Sequence, residues 1–373
     1  MLPDFNNLDI RNYDIPFGYY TLGILSHHRP DIEIIPIRMD ADASCFVNHD
    51  LENYDWLEPC IEKALANKKI VCVVPWDEHV IFLRNIQLEN ILNKYTNDPV
   101  YWITNLEPNA SDVYTSQHIW QNYYLFKIKI IELPWWLLND CLGYYSIADK
   151  TIHAYDYNET NYTCMINHAT LHKFELPRQL KKNNLSKCGK FTIANLYEIP
   201  VDLTDIFVES TLPAFQKYNL NYQREGAQTL INGVWISKNV ENFNNIEKQI
   251  KNIPLVLNSE TIMIKLFATE KSIWPILLGK LFLIHGRPNI MQYTQRFNNI
   301  DYSRYADMTF DTIDGYGIED QMARLDCLIS KNQELIKDSK DLHQELQPEL
   351  EAARWTFGEN MYKYFKDQVG KII

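Results

Sequence analysis

Two series of short apolar runs alternating with helical periodicity predict an α/β protein with two parallel-sheet domains and a C-terminal helical tail. The chain has 373 residues, and at about 150 residues per domain that length asks for two or three. Hydrophobic residues at 46% and charged residues at 23% give a globular balance with material for sizeable cores. The expected divisions are 1–155, 156–340 and a tail over 341–373 that packs back onto the body.

In the first series, Ile34–Ile37, Ile70–Val74, Val100–Ile103 and Phe126–Leu133 read as strands, with helices at Leu57–Ala66 and Val80–Asn93. Ile70-Val-Cys-Val-Val74 is apolar throughout, the pattern of a parallel strand covered on both faces. It runs into Pro75-Trp76-Asp77-Glu78-His79, and polar residues at the carboxyl end of such a strand stand where open α/β sheets hold ligands. Phe126-Lys-Ile-Lys-Ile130 alternates instead and reads as an edge strand with one wet face.

The second series begins near Asn161. Tyr162–Ile166, Phe191–Leu196, Leu255–Leu257 and Leu281–Ile284 read as strands, His172–Asn183 and Ser272–Gly279 as helices. Helical patterning resumes over Ile318–Ser339 and, after an expected interruption at Pro348, continues into Trp355, Phe357, Tyr362, Tyr364 and Phe365. So many aromatics at a terminus call for a surface to cover them, hence the expected docking of the tail.

Composition removes several function classes. Only 12 residues are glycine, roughly half the usual ~7%, and neither a G-x-G-x-x-G nor a Walker-type loop occurs, which excludes the commonest dinucleotide and P-loop readings. The net charge of −12 is uneven: residues 1–80 hold 14 acids against 6 bases, a net of −8. Such a domain is a poor match to a polyanion. The one basic stretch, His172 to Phe191, sets Lys173, Arg178, Lys181, Lys182, Lys187 and Lys190 against Glu175 alone; it is either a phosphate-facing patch or a solvated helix face. Seven scattered cysteines without a C-x-x-C pair read as reduced, mostly buried thiols rather than a disulfide frame or zinc site. No apolar run reaches the ~18 residues of a membrane span, and the N-terminus lacks a signal-peptide core. A cytoplasmic protein is expected.

The richest chemistry lies in Leu255-Val-Leu-Asn-Ser-Glu-Thr261 and Phe267-Ala-Thr-Glu-Lys-Ser-Ile-Trp274, a strand, a polar loop and a helix start. Thr269 suits an N-cap, which places Glu270 and Lys271 in the first helical turn, where free N–H groups and the helix dipole favour an anion. A carboxylate there can accept both hydroxyls of a ribose while the ammonium neutralises a diphosphate. The bland alternative is a capped helix with Glu in its first turn.

The order of motifs resembles glycosyltransferases of the GT-B type, in particular a family common in phages and large viruses, and more distantly the fucosyltransferase-like enzymes. The resemblance rests on Thr269-Glu270-Lys271, Pro275, Gly279 and Leu281–Ile284, preceded by Asn258-Ser259-Glu260-Thr261. Cys164-Met-Ile-Asn167 followed by His172-Lys173, with Lys where Arg is usual, and Phe310-Asp311 followed by Ile318-Glu-Asp and Arg324 fit the same order. It covers residues ~160–330 and leaves 1–155 unmatched.

The resemblance implies two Rossmann-like domains facing a cleft, a nucleotide-sugar donor held by the second, and a hydroxyl acceptor held by the first. Glu270 then resembles the ribose-binding acid and Lys271 a diphosphate contact, with Thr269, Ser259 and Glu260 beside them and Asn167, His172 and Lys173 completing the phosphate site. Arg324 either touches phosphate or pairs with Glu319 or Asp320 on its own helix. No metal is required on this reading. A base is needed for the acceptor proton. Asp77, Glu78 and His79 are placed best, Glu107 next.

Two rivals remain. Arg38-Met-Asp40-Ala-Asp42 matches the Asp-x-Asp element of metal-dependent GT-A transferases, though so early a position leaves no room for the ~30-residue βαβ unit that should precede it. The other is a non-catalytic binding or structural protein on a transferase-like fold. Among acceptors, a glycan, protein or small molecule is preferred to a modified phage DNA base, on charge.

Overall fold

A computed structural model describes residues 29–37, 54–75, 86–104, 127–133, 160–166, 171–193, 199–209, 250–260, 270–315 and 317–372, residues 157 and 247, and two short strands at 228–231 and 234–237. It is an α/β fold with two parallel sheets flanked by helices and a C-terminal helical segment. The chain divides into two compact units, 2–139 with 362–373, and 140–361.

The first unit holds four parallel strands in sequence order: β1 (Ile32–Ile37), β2 (Ile70–Pro75), β3 (Val100–Thr104) and β4 (Lys129–Glu132). The uniformly apolar run becomes β2, inside the sheet between β1 and β3, with Val71, Cys72, Val73 and Val74 all fully buried. Helix α1 (Leu57–Ala66) presents Leu57, Ile61 and Ala64 at helical spacing to a core that includes Ile35, Val73 and Trp102. Helix α2 (Ile86–Leu92) adds Leu88, Ile91 and Leu92 to the same core. β4 is the edge strand its alternation predicts, with Lys129 exposed.

The second unit holds β5 (Tyr162–Ile166), helix α3 (Leu171–Lys182), β6 (Gly189–Ile193), β7 (Phe207–Glu209), a separate antiparallel hairpin of β8 (Gln228–Ile231) and β9 (Val234–Ser237), then β10 (Leu255–Ser259), helix α4 (Glu270–Leu277) and β11 (Leu281–His285). Its five-stranded sheet runs β7-β6-β5-β10-β11, parallel throughout. The first three strands step outward from β5; the chain then returns to β5's other side for β10 and β11. That reversal separates β5 and β10. β10 and β11 are buried along their whole length, which explains their unbroken apolar patterns.

Tyr162 shows how closely this sheet is packed. Its ring is buried, lies edge-on to Phe191, and its hydroxyl donates to the Leu185 carbonyl at 3.0 Å. The ring occupies the space a Cβ on Gly189 would need. Gly189→Ala is therefore expected to cost about 1–3 kcal/mol by overpacking. Thermal melts should show the loss, and Gly189→Ala combined with Tyr162→Leu should lose less than the sum of the two.

After β11 come α5 (Ile290–Gln295), α6 (Ile318–Lys331), α7 (Gln333–Lys337) and the long α8 (Lys340–Val369). The predicted helix over Ile318–Ser339 is thus two helices meeting at Asn332, whose amide donates to the carbonyls of Leu328 and Asp307 and whose side-chain oxygen accepts the Asp307 N–H. Pro348 does not interrupt α8. Its ring removes one backbone donor, but Leu346, Leu350, Ala353, Phe357, Met361 and Phe365 on either side are buried, and that packing holds the helix continuous. Residues 340–361 of α8 belong to the second unit and the remainder to the first, where the Tyr364 hydroxyl donates to the Glu132 carboxylate at 2.6 Å.

Of the five described cysteines, Cys72 and Cys164 are buried, Cys188 and Cys327 half-buried and Cys60 exposed, all as free thiols. The expectation that most are buried is too strong, because Cys60 stands on the outer face of α1. Among the described residues no helix is long and apolar enough to cross a membrane.

Candidate functional site

In an open parallel sheet, ligands bind beyond the carboxyl ends of the strands at the point where strand order reverses. In the second unit that point lies between β5 and β10, and the described residues on its β10 side are those at the carboxyl ends of β10 and β11. Ser259 and His285 are paired across those strands, and the Glu260 N–H extends the pairing by donating to the His285 carbonyl at 2.9 Å. His285 Nε2 lies 3.1 Å from the Gln321 carbonyl, which can only accept, so the proton sits on Nε2; Nδ1 lies 3.5 Å from Ser259 Oγ.

The Glu260 side chain is fully buried and accepts a hydrogen bond from the Ser272 hydroxyl, on the third residue of α4. It fastens the first turn of α4 to the end of β10. Glu270 and Lys271 are the first two residues of that helix, in the first turn where the sequence pattern puts them; Thr269, the expected N-cap, lies outside the described residues.

Arg324 is buried on α6 and donates to three main-chain carbonyls: Gly286 at 3.1 Å, Ile313 at 3.2 Å and Gly315 at 2.7 Å. These bonds tie the turn after β11 to the segment before α6. The Asp320 carboxylate on the same helix accepts the Gly317 N–H at 2.9 Å. Asp311 braces the other side, its carboxylate accepting N–H groups of Met291 at 3.1 Å and Gln292 at 3.0 Å in the first turn of α5. Burial pushes Asp311 up to about 6, opposed by those N–H groups and by the Arg324 charge.

The remaining residues singled out by the sequence are scattered. Lys173 is buried on α3, and His172 precedes it in the first turn of that helix. Asn167, Asp77, Glu78, His79 and Glu107, and the Asp40 and Asp42 of the alternative metal element, lie outside the described residues. Much of the basic stretch on α3 is engaged locally: Arg178 pairs with Glu175 and with Asp202 at 2.8 Å, Lys181 with Asp205 at 2.6 Å. Exposed pairs of this kind add little stability, but they reduce the free charge of that face. Among the described residues, no group of three or more His, Cys, Asp or Glu side chains is gathered to hold a metal ion.

Sequence reasoning passed over Ser272, His285, Arg287 and Gln321. A usable signal existed for two of them: His285-Gly-Arg287 directly succeeds the unbroken apolar run Leu281–Ile284, at the same kind of strand end that carries the polar run after β2. Comparison with protein-family models, with curated proteins and with solved structures gives no match for this chain.

Proposed function

We propose that this protein is a glycosyltransferase of the GT-B arrangement, two Rossmann-like domains facing a cleft, moving a sugar from a nucleotide-sugar to a hydroxyl acceptor. The observation that carries the reading is the strand order β7-β6-β5-β10-β11 with Glu270 and Lys271 in the first turn of the helix after β10. That order creates a ligand edge, and the Ser272–Glu260 hydrogen bond holds the opening turn of α4 against it.

On this reading Glu270 accepts the ribose hydroxyls, Lys271 and the α4 N-terminus neutralise the diphosphate, and Asn167, His172 and Lys173 complete the phosphate site. Glu260, through the Ser272 hydroxyl, and Arg324, through main-chain carbonyls, fix the turns that surround the donor. Transfer breaks the bond between the anomeric carbon and the diphosphate oxygen and forms one to the acceptor oxygen. The acceptor proton passes to a base from Asp77, Glu78 and His79, or Glu107, and the nucleoside diphosphate leaves. The excess of acid in residues 1–80 favours a glycan, protein or small-molecule acceptor over DNA.

The test is incubation of the purified protein with UDP-, GDP-, ADP- and CMP-sugars, read by mass spectrometry and by thermal shift. One donor class should raise the melting temperature and be hydrolysed or transferred, with EDTA leaving the activity intact. Glu270→Ala should weaken donor binding by roughly 10- to 100-fold, the worth of charge-assisted hydrogen bonds to ribose. A chain that binds none of the four donors is not this enzyme.

A further inference from the structure

We infer that Ser259 and His285 form a nucleophile and base that cleave carboxylic esters, an activity separate from the proposed sugar transfer. The two residues end the adjacent strands β10 and β11, beside the point where strand order reverses, which is where an open parallel sheet binds its ligand. Both are buried. His285 donates its Nε2 proton to the Gln321 carbonyl at 3.1 Å, so the lone pair is on Nδ1, 3.5 Å from Ser259 Oγ. A hydroxyl within reach of an imidazole, with that imidazole oriented by a third group, is the arrangement that makes a serine nucleophilic.

The pair lies on the other face of the sheet from the Thr-Glu-Lys helix. Successive residues of a strand point to opposite faces, and Glu260 continues the β10 pairing, so its side chain and that of Ser259 diverge. Glu260 meets Ser272 on α4, whereas Ser259 meets His285, whose ring reaches Gln321 on α6. Helix α3 packs on both β10 and α6 and so covers that second face. Because α3 starts just after β5 ends, its first turn stands at the carboxyl edge, where its N–H groups have no acceptor within the helix. Donors so placed can hold the anionic oxygen that an ester carbonyl becomes under attack.

In the reaction Ser259 Oγ bonds to the acyl carbon while its proton passes to His285 Nδ1; the bond from that carbon to the alcohol oxygen then breaks, and the alcohol leaves with the proton. Water attacks the acyl-serine, giving a proton to Nδ1, and the carboxylic acid leaves as Ser259 takes that proton back. The Gln321 carbonyl orients the imidazole but brings no full charge to stabilise the imidazolium, so turnover should be slower than with a carboxylate in its place. Other buried hydroxyls of this unit have different settings. Ser272 donates to the Glu260 carboxylate and Ser339 to the Asn161 carbonyl. A second hydroxyl–imidazole contact, Tyr157 with His343, joins a phenol to a ring held by the Gly279 carbonyl, at the amino end of β11 and away from the ligand edge.

The test is exposure of the full-length protein to a fluorophosphonate probe, with the adduct located by peptide mass spectrometry, beside an assay of p-nitrophenyl butyrate hydrolysis. The wild type should carry an adduct at Ser259 and hydrolyse the ester, and Ser259→Ala should do neither. His285→Gln, its fold checked by thermal melting, should label and turn over about 10²- to 10⁴-fold more slowly, the worth of a general base. Absence of either the Ser259 adduct or the hydrolysis in the folded wild type overturns the inference whatever the nucleotide-sugar panel shows, and a failed panel leaves it standing. Labelling of a folded His285→Gln variant at the wild-type rate, or of heat-denatured wild type as fast as native, overturns it as well. If His285→Gln does not fold, the native and heat-denatured wild type decide.

Discussion

Arg324→Ala is expected to destabilise the 140–361 unit by about 3–5 kcal/mol. The guanidinium is buried and its Nε and Nη1 groups donate to Gly286, Ile313 and Gly315, so alanine leaves three carbonyls without that donor and opens a void on α6. Arg324→Lys keeps the charge but replaces the fork with a single ammonium, which cannot span both Gly286 and Gly315 in the same geometry. It should therefore lose most of the same stability. Because two units need not unfold together, the measurement is hydrogen exchange of β11 and α6 amides beside the melting curve. Wild-type protection in the lysine variant would mean that charge rather than fork geometry matters. If the proposed donor site is right, nucleotide affinity should fall in both variants as the turn after β11 loosens.

The two sheets were legible because parallel strands covered on both faces read as unbroken apolar runs. β2, β5, β10 and β11 stand where such runs place them, to within two residues. β7 left no signal. It is a three-residue edge strand whose Val208 is half exposed, so neither alternation nor continuous burial marks it, and β8 and β9 are nearly as short. Pro348 misled because a single residue's propensity was weighed against an apolar face extending over several turns, and the packing of that face prevails. At the site, the sequence located the loop after β10 and the helix start after it. It could not say that Glu260 faces Ser272, or that Arg324 serves main-chain carbonyls rather than an ion partner on its helix, because both depend on segments far apart in sequence meeting at one edge. The strand order, which identifies that edge, is likewise a property of pairing and not of any one segment.

Lys280→Met should stabilise the second unit at neutral pH. Lys280 is 2% exposed, in the turn between α4 and β11, where Gly279 takes the left-handed backbone at φ 61°. Burial pulls its ammonium from the usual 10.5 down to about 7; Lys251 adds to the fall, while Glu247 and Glu351 oppose it. The unfolded chain thus holds this proton up to about pH 10 and the folded chain releases it near 7, so between those values stability rises with pH. The cost is complete below about pH 7 and corresponds to at most about 5 kcal/mol. Methionine fills a similar volume without a charge and gives up one hydrogen bond to the Lys251 carbonyl, for a net gain of about 1–4 kcal/mol. His343 acts on the acid side of the same cluster. Its Nε2–H donates to the Gly279 carbonyl at 2.9 Å and Nδ1 accepts from the Tyr157 hydroxyl at 2.6 Å; burial, and then the Lys280 charge, pull it down to about 4. His343 by itself therefore lowers stability as pH drops from about 6.5 towards 4, while Asp311, raised to about 6 in the fold, acts in the opposite direction over nearly the same range, so the acid limb should be shallow and should be the same in Lys280→Met. Melting temperatures from pH 4 to 8.5, below the range where unfolded-chain cysteines and tyrosines ionise, separate the two. The wild-type curve should climb between pH 7 and 8.5 and the methionine curve should lie higher at pH 7 and stay flat over that interval. A methionine variant that melts lower and keeps the alkaline climb would mean that Lys280 stays protonated in the fold, held by Glu247 and Glu351.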